Sequence, residues 1–245
     1  KRLWLILSVV ANMAVLLVFI RSGHSSYDVT SIFTGKGAML KLFPVWGAGV
    51  FTLHGISYCM DIYRKEIEPE KNFLLVSQYI CFFPCFYCGP ILRFSDMSEQ
   101  LRKPVITSGK LAEGIKLMLI GFAEKLFLSD PMYEMWQHIR GVSTDSLSAA
   151  CAWLGIIAFS FAFYYELRAY SHIAQGIGSM LGFELPDNFD LPFMSAGFNE
   201  LIKRFACTFY SWVRDYFYRP ICRNKDSVCL WALILSVLAG SVWYG

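Results

Sequence analysis

Long uncharged runs of apolar residues dominate the pattern along this chain. The clearest are residues 3–20, 73–92, 147–165 and 227–245, and residues 43–60 and 115–127 are weaker candidates. Each clear run is close to the roughly 20 residues that a transmembrane helix needs. The pattern therefore predicts an all-α polytopic membrane protein, located in the cell membrane with several passes.

Prolines and glycines interrupt two of these runs. Pro44 precedes several glycines in the run at 43–60, and Pro84 and Gly89-Pro90 divide the run at 73–92. Such breaks are tolerated in membrane helices where the backbone is buried in protein or lines a cavity. They predict re-entrant or kinked segments. Asp130-Pro131 is likewise predicted to end the helix that starts near residue 115, because the residue before a proline avoids helical geometry.

Polar segments separate the apolar runs. Residues 61–72 predict a charged loop in water, 95–114 an interfacial segment and 183–197 an irregular loop. Residues 199–218 predict one amphipathic helix, on which Arg204, Thr208, Ser211/Trp212 and Asp215 share a stripe at helical spacing. The stripe fits an interfacial helix with an aromatic belt and, equally, a polar seam facing a cavity. The pattern alone leaves both interpretations open.

Composition strengthens the membrane prediction. The 245 residues are 56% hydrophobic and only 17% charged, against about 25% in a typical soluble domain. The mean hydropathy is +0.44, and a net charge of +3 does not indicate a nucleic-acid partner. We expect a single transmembrane domain over residues 1–245, taken from a longer chain because the sequence lacks an initiator Met and ends in an apolar run.

Cysteines do not indicate a metal site. Of the eight, six lie in or beside apolar runs, where cysteine behaves as a small hydrophobic residue. Cys81, Cys85 and Cys88 form a cluster, but no second Cys or His pair has zinc-finger spacing relative to them. No metal site and no bound cofactor are predicted.

A few ionisable residues lie within or beside the apolar runs. Glu124 and Lys125 fall in one run, and Glu166, Arg168 and His172 follow another. Ionisable groups in membrane segments are costly and indicate function by default. An internal ion pair or snorkelling explains the first pair equally well, and an interfacial cluster is the favoured explanation of the other three. Arg168 and His172, four residues apart, should share a helix face.

Four ordered blocks carry a family resemblance: "FTLHGISYCMDIYRKE", "NFLLVSQYICFFPCFYCGPILRFSDMSEQL", "YYELRAYSHIAQGIGSMLGFELPDNFDLPFMS" and "KRFACTFYSWVRDYFYRP", with "GFAEKLFLSD" between the second and third. Together they resemble the membrane-bound O-acyltransferase family, in its alginate O-acetyltransferase and teichoic-acid D-alanylation branch. The resemblance implies a ring of membrane helices, with re-entrant and interfacial helices, around a tunnel. It also implies that an acyl thioester donor, acyl-CoA or an acyl-carrier protein, and a hydroxyl acceptor reach this tunnel from opposite sides.

The resemblance also assigns site residues. The family uses a buried histidine in Trp-His-Gly as general base, and "SVWYG" places Tyr244 at that position, after Trp243. A second family histidine, in Arg-Arg-Trp-His-Met, corresponds to Ala206. Tyr244 is thus the predicted catalytic residue. The predicted substrate-binding residues are Lys203, Arg204, Thr208, Trp212, Arg214, Asp215 and Trp243.

The sequence leaves three functions open. The first is an O-acyltransferase that moves an acetyl or other small acyl group to a cell-envelope glycan. The second is a catalytically silent homologue that serves as a binding or scaffold component, which the two substituted histidine positions favour. Its partner would be an acyl-carrier protein or an extracytoplasmic acyltransferase. The third, an unrelated transporter, rests on the broken helices alone.

Two other histidines offer a relocated base. His172 stands where the family usually has Asp, and His54 stands where Gln is common. Nothing in the sequence brings either residue close to Tyr244, so this alternative has little support.

Overall fold

The computed structural model describes residues 5–14, 48–86, 89–143 and 147–221. Within these ranges the regular secondary structure is helical, without any strand. The all-α part of the prediction is therefore confirmed for the described residues. The predicted site residues Trp243 and Tyr244, and the apolar run at 227–245, lie outside them. The prediction of a single domain over residues 1–245 stays a prediction.

The helices are numbered in chain order. They are α1 (Leu5–Ala14), α2 (Ala48–Arg64), α3 (Phe73–Ile80), α4 (Phe94–Arg102), α5 (Ser108–Ala123), α6 (Asp130–Arg140), α7 (Ala149–Met180), α8 (Phe198–Arg204), α9 (Cys207–Val213) and α10 (Arg219–Ile221). A π-helical segment, Glu124–Ser129, joins α5 to α6, and another, Arg214–Tyr218, joins α9 to α10. Short 3₁₀ turns occupy Phe83–Cys85 and Pro192–Met194.

Local side-chain caps begin three of these helices. Asn72, Thr107 and Ser148 precede α3, α5 and α7, and each side-chain oxygen accepts a hydrogen bond from a backbone N–H two or three residues later. The first N–H groups of a helix have no partner within it, so a polar side chain at this position favours a helix start there.

The described residues form two compact units. The first contains residues 5–14, 48–86, 91–102 and 212–221, and the second contains 89–90, 103–143 and 147–211. In the first unit α1 packs on α2, where Ser8 Oγ lies 3.0 Å from Cys59 Sγ. A Cβ on Gly55 would lie 3.0 Å from the Asn12 amide oxygen. A small residue at 55 therefore lets the two helices approach closely.

Helices α5 and α7 form the core of the second unit by close backbone approach. A Cβ added at Gly114 would lie 2.6 Å from the carbonyl oxygen of Gly176, and one at Gly121 would lie 2.7 Å from that of Ala169. Small residues at such interfaces are typical of membrane helix pairs, which associate by close packing. The glycines at 114, 121 and 176 are all buried.

Among the described residues, α7 is the one helix long and apolar enough to cross a membrane. Helix α1 and the segment Phe73–Cys85 are apolar but shorter. The outer face of α7 carries exposed Trp153, Ile156 and Ile157, which are 67%, 53% and 50% exposed. The helix continues to Met180, so Glu166, Arg168 and His172 lie within it. A long apolar helix at the run 147–165 is thus confirmed.

Asp130-Pro131 does not end the helix, contrary to the sequence prediction. The π-helical segment carries the helix from α5 into α6, and the Asp130 N–H donates to Lys125 O, five residues back. Pro131 follows in the first turn of α6, where a residue without an N–H is tolerated. A change of hydrogen-bond register therefore accommodates the proline.

The predicted single helix over residues 199–218 is also wrong. Helix α8 ends at Arg204, and α9 begins at Cys207. Between them Ala206 has a φ of 52°, which lies in the left-handed region and interrupts a right-handed helix. The stripe that assumed continuous helical spacing is therefore broken between Arg204 and Thr208.

The close α5–α7 approach makes Gly114 sensitive to one added methyl group. We expect Gly114→Ala to lower the free energy of unfolding by about 1–3 kcal/mol, the usual cost of overpacking. Gly109→Ala in the same helix is the matched control, because the nearest atom to its added Cβ, Thr107 Oγ1, lies 3.9 Å away. This control should be neutral or stabilising by up to about 1 kcal/mol. Thermal unfolding in detergent measures both, and equal melting temperatures would contradict the packing.

Candidate functional site

The described part of the predicted site falls into two groups of residues. Lys203, Arg204 and Thr208 lie around the break between α8 and α9, in the second unit. Trp212, Arg214 and Asp215 lie in the first unit. We call the break, made of Phe205, Ala206 and Cys207, the 206 elbow.

Ala206 is the strained residue of the 206 elbow. Its φ is 52°, and it is only 3% exposed. A left-handed conformation costs an L-residue roughly 1–2 kcal/mol. Residues in such conformations persist only where surrounding contacts hold them. The contacts around Ala206 must therefore compensate this cost.

Asn188 supplies several of these contacts. Its backbone oxygen accepts a hydrogen bond from the Cys207 N–H at 2.7 Å. Its side-chain Oδ1 accepts from the Thr208 hydroxyl at 2.6 Å and from the Thr208 N–H at 3.3 Å. Asn188 thus satisfies the first N–H groups of α9, as an N-cap residue does, although it lies in a different segment of the chain.

The end of α8 and the Phe205 ring are held as well. The Asp190 N–H donates to Arg204 O at 3.0 Å. The Phe205 ring lies edge-on to Phe189, with centroids 5.4 Å apart, and 6.1 Å from Tyr164. Aromatic pairs at these separations stabilise beyond their buried area. Hydrogen bonds and aromatic packing therefore both hold the elbow in place.

The two basic residues of α8 differ in their surroundings. Arg204 Nη2 donates to Glu200 Oε1 at 2.7 Å, and its Nη1 lies 3.9 Å from Asp190 Oδ2. The Ala196 N–H and Arg204 together hold the pKa of Glu200 below its usual value. Lys203 is exposed. Arg204 therefore pairs with carboxylates beside the elbow, whereas Lys203 faces outward.

In the first unit, Asp215 is the centre of a group of charged and aromatic residues. We call this group the Asp215 cluster: Asp61, Arg64, Arg93, Arg214, Asp215, Tyr216 and Arg219. The Asp215 carboxylate is buried and accepts hydrogen bonds from Arg93 and Arg214, the latter at 3.0 Å from Nε. Arg219 Nη1 lies 3.0 Å from the same carboxylate. Arg64 Nη2 donates to the Asp215 backbone oxygen at 2.9 Å.

Tyr216 links a second carboxylate to the cluster. Its hydroxyl donates to both Asp61 oxygens, at 2.7 and 2.8 Å. The guanidinium carbons of Arg64 and Arg93 lie 5.3 and 5.7 Å from the centre of its ring, within cation–π range. The cluster thus joins α2, the segment before α4 and the π-helical segment Arg214–Tyr218.

The two carboxyl groups of the cluster are shifted in opposite directions. Burial raises the pKa of Asp61 above its ordinary value, by more than the Tyr216 hydroxyl lowers it. Burial also raises the pKa of Asp215, but hydrogen bonds from Arg214 and Arg93 outweigh it and hold this pKa below the usual range. Asp215 is therefore the anion that the surrounding arginines stabilise.

Trp212 packs beside the cluster. It is 2% exposed, and its ring centre lies 5.3 Å from that of Tyr216 and 5.7 Å from that of Phe217. Its Nε1–H has no hydrogen-bond partner among the described residues. An indole N–H can only donate, so the described residues leave this buried donor unsatisfied.

Both candidate relocated bases are engaged in other contacts. His54 is fully buried and stacks on Tyr79, and its Nε2 accepts a hydrogen bond from the Leu92 N–H at 3.2 Å. His172 Nδ1 lies 2.8 Å from Glu124 Oε2, and Arg168 Nε lies 3.3 Å from the other oxygen of that carboxylate. The predicted shared face of Arg168 and His172 is thus confirmed.

Glu124 and Lys125 take part in ion pairs between helices. Glu124 pairs with α7 as described above, and Lys125 Nζ lies 3.2 Å from Glu166 and 2.7 Å from Asp130. Both residues lie at the start of the π-helical segment that follows α5. Ion pairing, one of the two explanations that the sequence left equal, therefore describes this pair.

Several residues of these two sites were not predicted from the sequence. They are Asp61, Arg64, Arg93, Asn188 and Tyr216. All five lie inside the quoted sequence blocks, so membership in these blocks could have indicated them. Asp61 and Arg64 are also three residues apart on one helix. Nothing in the sequence pairs Arg93 with Asp215 or Asn188 with Thr208, because these partners are 122 and 20 residues apart.

A family model of the membrane-bound O-acyltransferase family matches residues 5–245. Among curated relatives, the probable alginate O-acetylase AlgI of Pseudomonas aeruginosa is 30% identical over 99% of this chain and 47% of its own length. The peptidoglycan O-acetyltransferase of Helicobacter pylori is 27% identical over 100% of this chain and 52% of its own length.

A more distant relative is also matched over about half of its own length. The teichoic acid D-alanyltransferase of Streptococcus thermophilus is 23% identical over 84% of this chain and 53% of its own length. The chain therefore spans about half the length of the curated relatives it matches. The family model nevertheless covers nearly all of this chain, in agreement with the four ordered sequence blocks. The chain belongs to the membrane-bound O-acyltransferase family.

Proposed function

We propose that this chain is part of an O-acyltransferase that moves an acetyl or other small acyl group to a hydroxyl of a cell-envelope glycan. The donor is a thioester, either acyl-CoA or an acyl-carrier protein. The observation that carries the proposal is what the relatives have in common. Their names describe acetyl or D-alanyl transfer to alginate, peptidoglycan and teichoic acid. Each of these names describes the transfer of a small acyl group to a polymer.

The proposed reaction has simple requirements. The acceptor hydroxyl oxygen attacks the thioester carbonyl carbon, so that a C–O bond forms and the C–S bond breaks. The hydroxyl proton leaves through a general base and ends on the sulfur of the departing thiol. A base near the hydroxyl and a hydrogen-bond donor near the carbonyl oxygen are therefore the two groups that accelerate it.

Tyr244 suits the second requirement better than the first. A tyrosine has a reference pKa of about 10, so its hydroxyl is protonated at neutral pH and is a poor base. The same hydroxyl is a hydrogen-bond donor for the thioester carbonyl oxygen. In this proposal Tyr244, beside Trp243, has that role. The inference that Tyr244 and Ala206 each stand in place of a family histidine rests on the sequence resemblance.

The alternative function is a catalytically silent homologue that binds a partner of an acyl-transfer complex. The substitutions at 206 and 244 favour it, since neither alanine nor tyrosine replaces the imidazole as a base. Its partner would be an acyl-carrier protein or an extracytoplasmic acyltransferase. Both functions place the chain in the membrane.

The proposed architecture is a multi-pass ring of helices around a tunnel. Exposed apolar side chains on the two packed helices of the second unit support membrane contact: Leu119 and Phe122 on α5, and Trp153 and Ile157 on α7. Arg204 and Thr208 of the second unit, and Trp212, Arg214 and Asp215 of the first, would shape the substrate sites, and Lys203 would contribute from the exposed face of α8. For Asp215 the contacts support an indirect role, because arginines already occupy its carboxylate.

The active and silent alternatives differ in their response to substitution at Tyr244. We expect membranes containing the full-length protein to catalyse donor-dependent acyl transfer. Tyr244→Phe should lower kcat by about 10²–10³-fold, the usual cost of removing one oxyanion donor. Tyr244→His and the double variant Ala206→His/Tyr244→His are measured alongside, with melting temperatures to verify folding. Turnover that begins only when the histidines are restored would support the silent homologue instead.

A further prediction concerns Asp215. We expect Asp215→Asn to reduce the free energy of unfolding by about 1.5–3 kcal/mol, the range for hydrogen bonds to charged groups. Arg219→Ala is the matched control and should change stability by less than about 1 kcal/mol, because Arg219 is 65% exposed. Denaturation in detergent compares the two variants.

The loss of unfolding free energy in Asp215→Asn should also depend on pH. The folded-state pKa of Asp215 is lowered, so its contribution is fully present above the unfolded pKa of about 4. The difference between the unaltered protein and Asp215→Asn should shrink as the pH falls through the folded-state pKa. A difference that stays constant with pH, or equals that of Arg219→Ala, would show that the carboxylate charge is not what stabilises the cluster.

A further inference from the structure

The 206 elbow is held by a residue outside its own segment. Ala206 has no polar side chain with which to cap α9, and its φ of 52° is costly for a residue with a Cβ. A continuous helix through positions 205 and 206 would avoid that cost. The elbow therefore exists because contacts from another segment favour it over the helix.

Asn188 provides those contacts, and it is itself firmly placed. It is 7% exposed and bonds the elbow through both its backbone oxygen and its side chain. The segment before it is anchored to α7, because Gln175 Nε2 donates to Pro186 O and to Asp187 Oδ1, each at 2.9 Å. Gln175 is 5% exposed. Hydrogen bonds from α7 thus anchor the segment that leads into Asn188, and Asn188 in turn bonds the elbow.

We infer that Asn188 is a positioning residue for the acyl-transfer site, because it fixes the backbone at Ala206 and the start of α9. This inference rests on the proposed function. Strained non-glycine residues held by their surroundings occur preferentially at active sites. The elbow directs a buried Cβ at position 206 and begins the segment that carries Thr208. A shift of Asn188 therefore moves both positions together.

The hydrogen bonds to Oδ1 define the variants for a test. Thr208 donates both of them, so an aspartate at 188 accepts the same bonds, and its charge is favourable at a helix N-terminus. Asn188→Asp should therefore keep kcat within about threefold. Asn188→Ala loses both bonds and should lower kcat by roughly ten- to a hundredfold, as expected for a misplaced group. The KM for the donor should change much less.

An activity-independent measurement examines the elbow itself. Asn188→Ala should lower the melting temperature by roughly 4–8 °C, and Asn188→Asp, which keeps both bonds but buries a charge, should lower it less. Ala206→Gly relieves the left-handed strain, whereas Ala112→Gly places glycine at an exposed position inside helix α5. Ala206→Gly should therefore melt at least about 2 °C above Ala112→Gly.

Each outcome of this experiment decides a separate point. A loss of kcat in Asn188→Ala with recovery in Asn188→Asp, in folded protein, supports the positioning role. Equal kcat in all three proteins would overturn it while leaving the proposed function intact. If neither the unaltered protein nor Ala206→His/Tyr244→His turns over, the proposed function fails, and the positioning role fails with it. The melting series then still shows whether Asn188 holds the elbow.

Discussion

Pairing of buried charge is the constraint on which the described structure depends. Only 17% of the residues are charged, and a charge removed from water is costly unless it is paired and hydrogen-bonded. Asp215 and Glu124 are 5% and 8% exposed, and each meets cationic partners from another part of its own unit. In each unit, therefore, segments far apart in the sequence are joined at a buried carboxylate.

Both described π-helical segments coincide with these carboxylates. Glu124 begins the segment Glu124–Ser129, and Asp215 is the second residue of Arg214–Tyr218. A π-helical turn changes the angular position of the residues that follow, and such turns are frequent at functional sites. In this chain the first one also lets the helix pass Pro131. The same local feature thus continues the helix and sets the direction from which Glu124 or Asp215 meets its partners.

The sequence predicted those features that depend on neighbouring residues. Apolar runs indicated the helices, and the long run at 147–165 corresponds to α7. The elbow at Ala206 was not predictable, because alanine favours a helix and the residue that overrides this preference is Asn188. Arg93 and Asp215 were likewise visible only as separate charges. Their pairing depends on contacts across 122 residues, and no periodic pattern encodes such contacts.

The elbow also bears on the choice between an active and a silent protein. A role confined to binding a partner requires a stable surface, and a continuous helix through Ala206 would provide one without backbone strain. The described structure instead keeps a buried left-handed alanine and holds it with Asn188, Thr208 and Phe205. That arrangement has a use where the position of residue 206 and of the start of α9 must be exact to a fraction of an ångström, as transfer between two bound substrates requires. In the proposed acyl transfer the elbow would serve that placement, even though Ala206 itself carries no catalytic group.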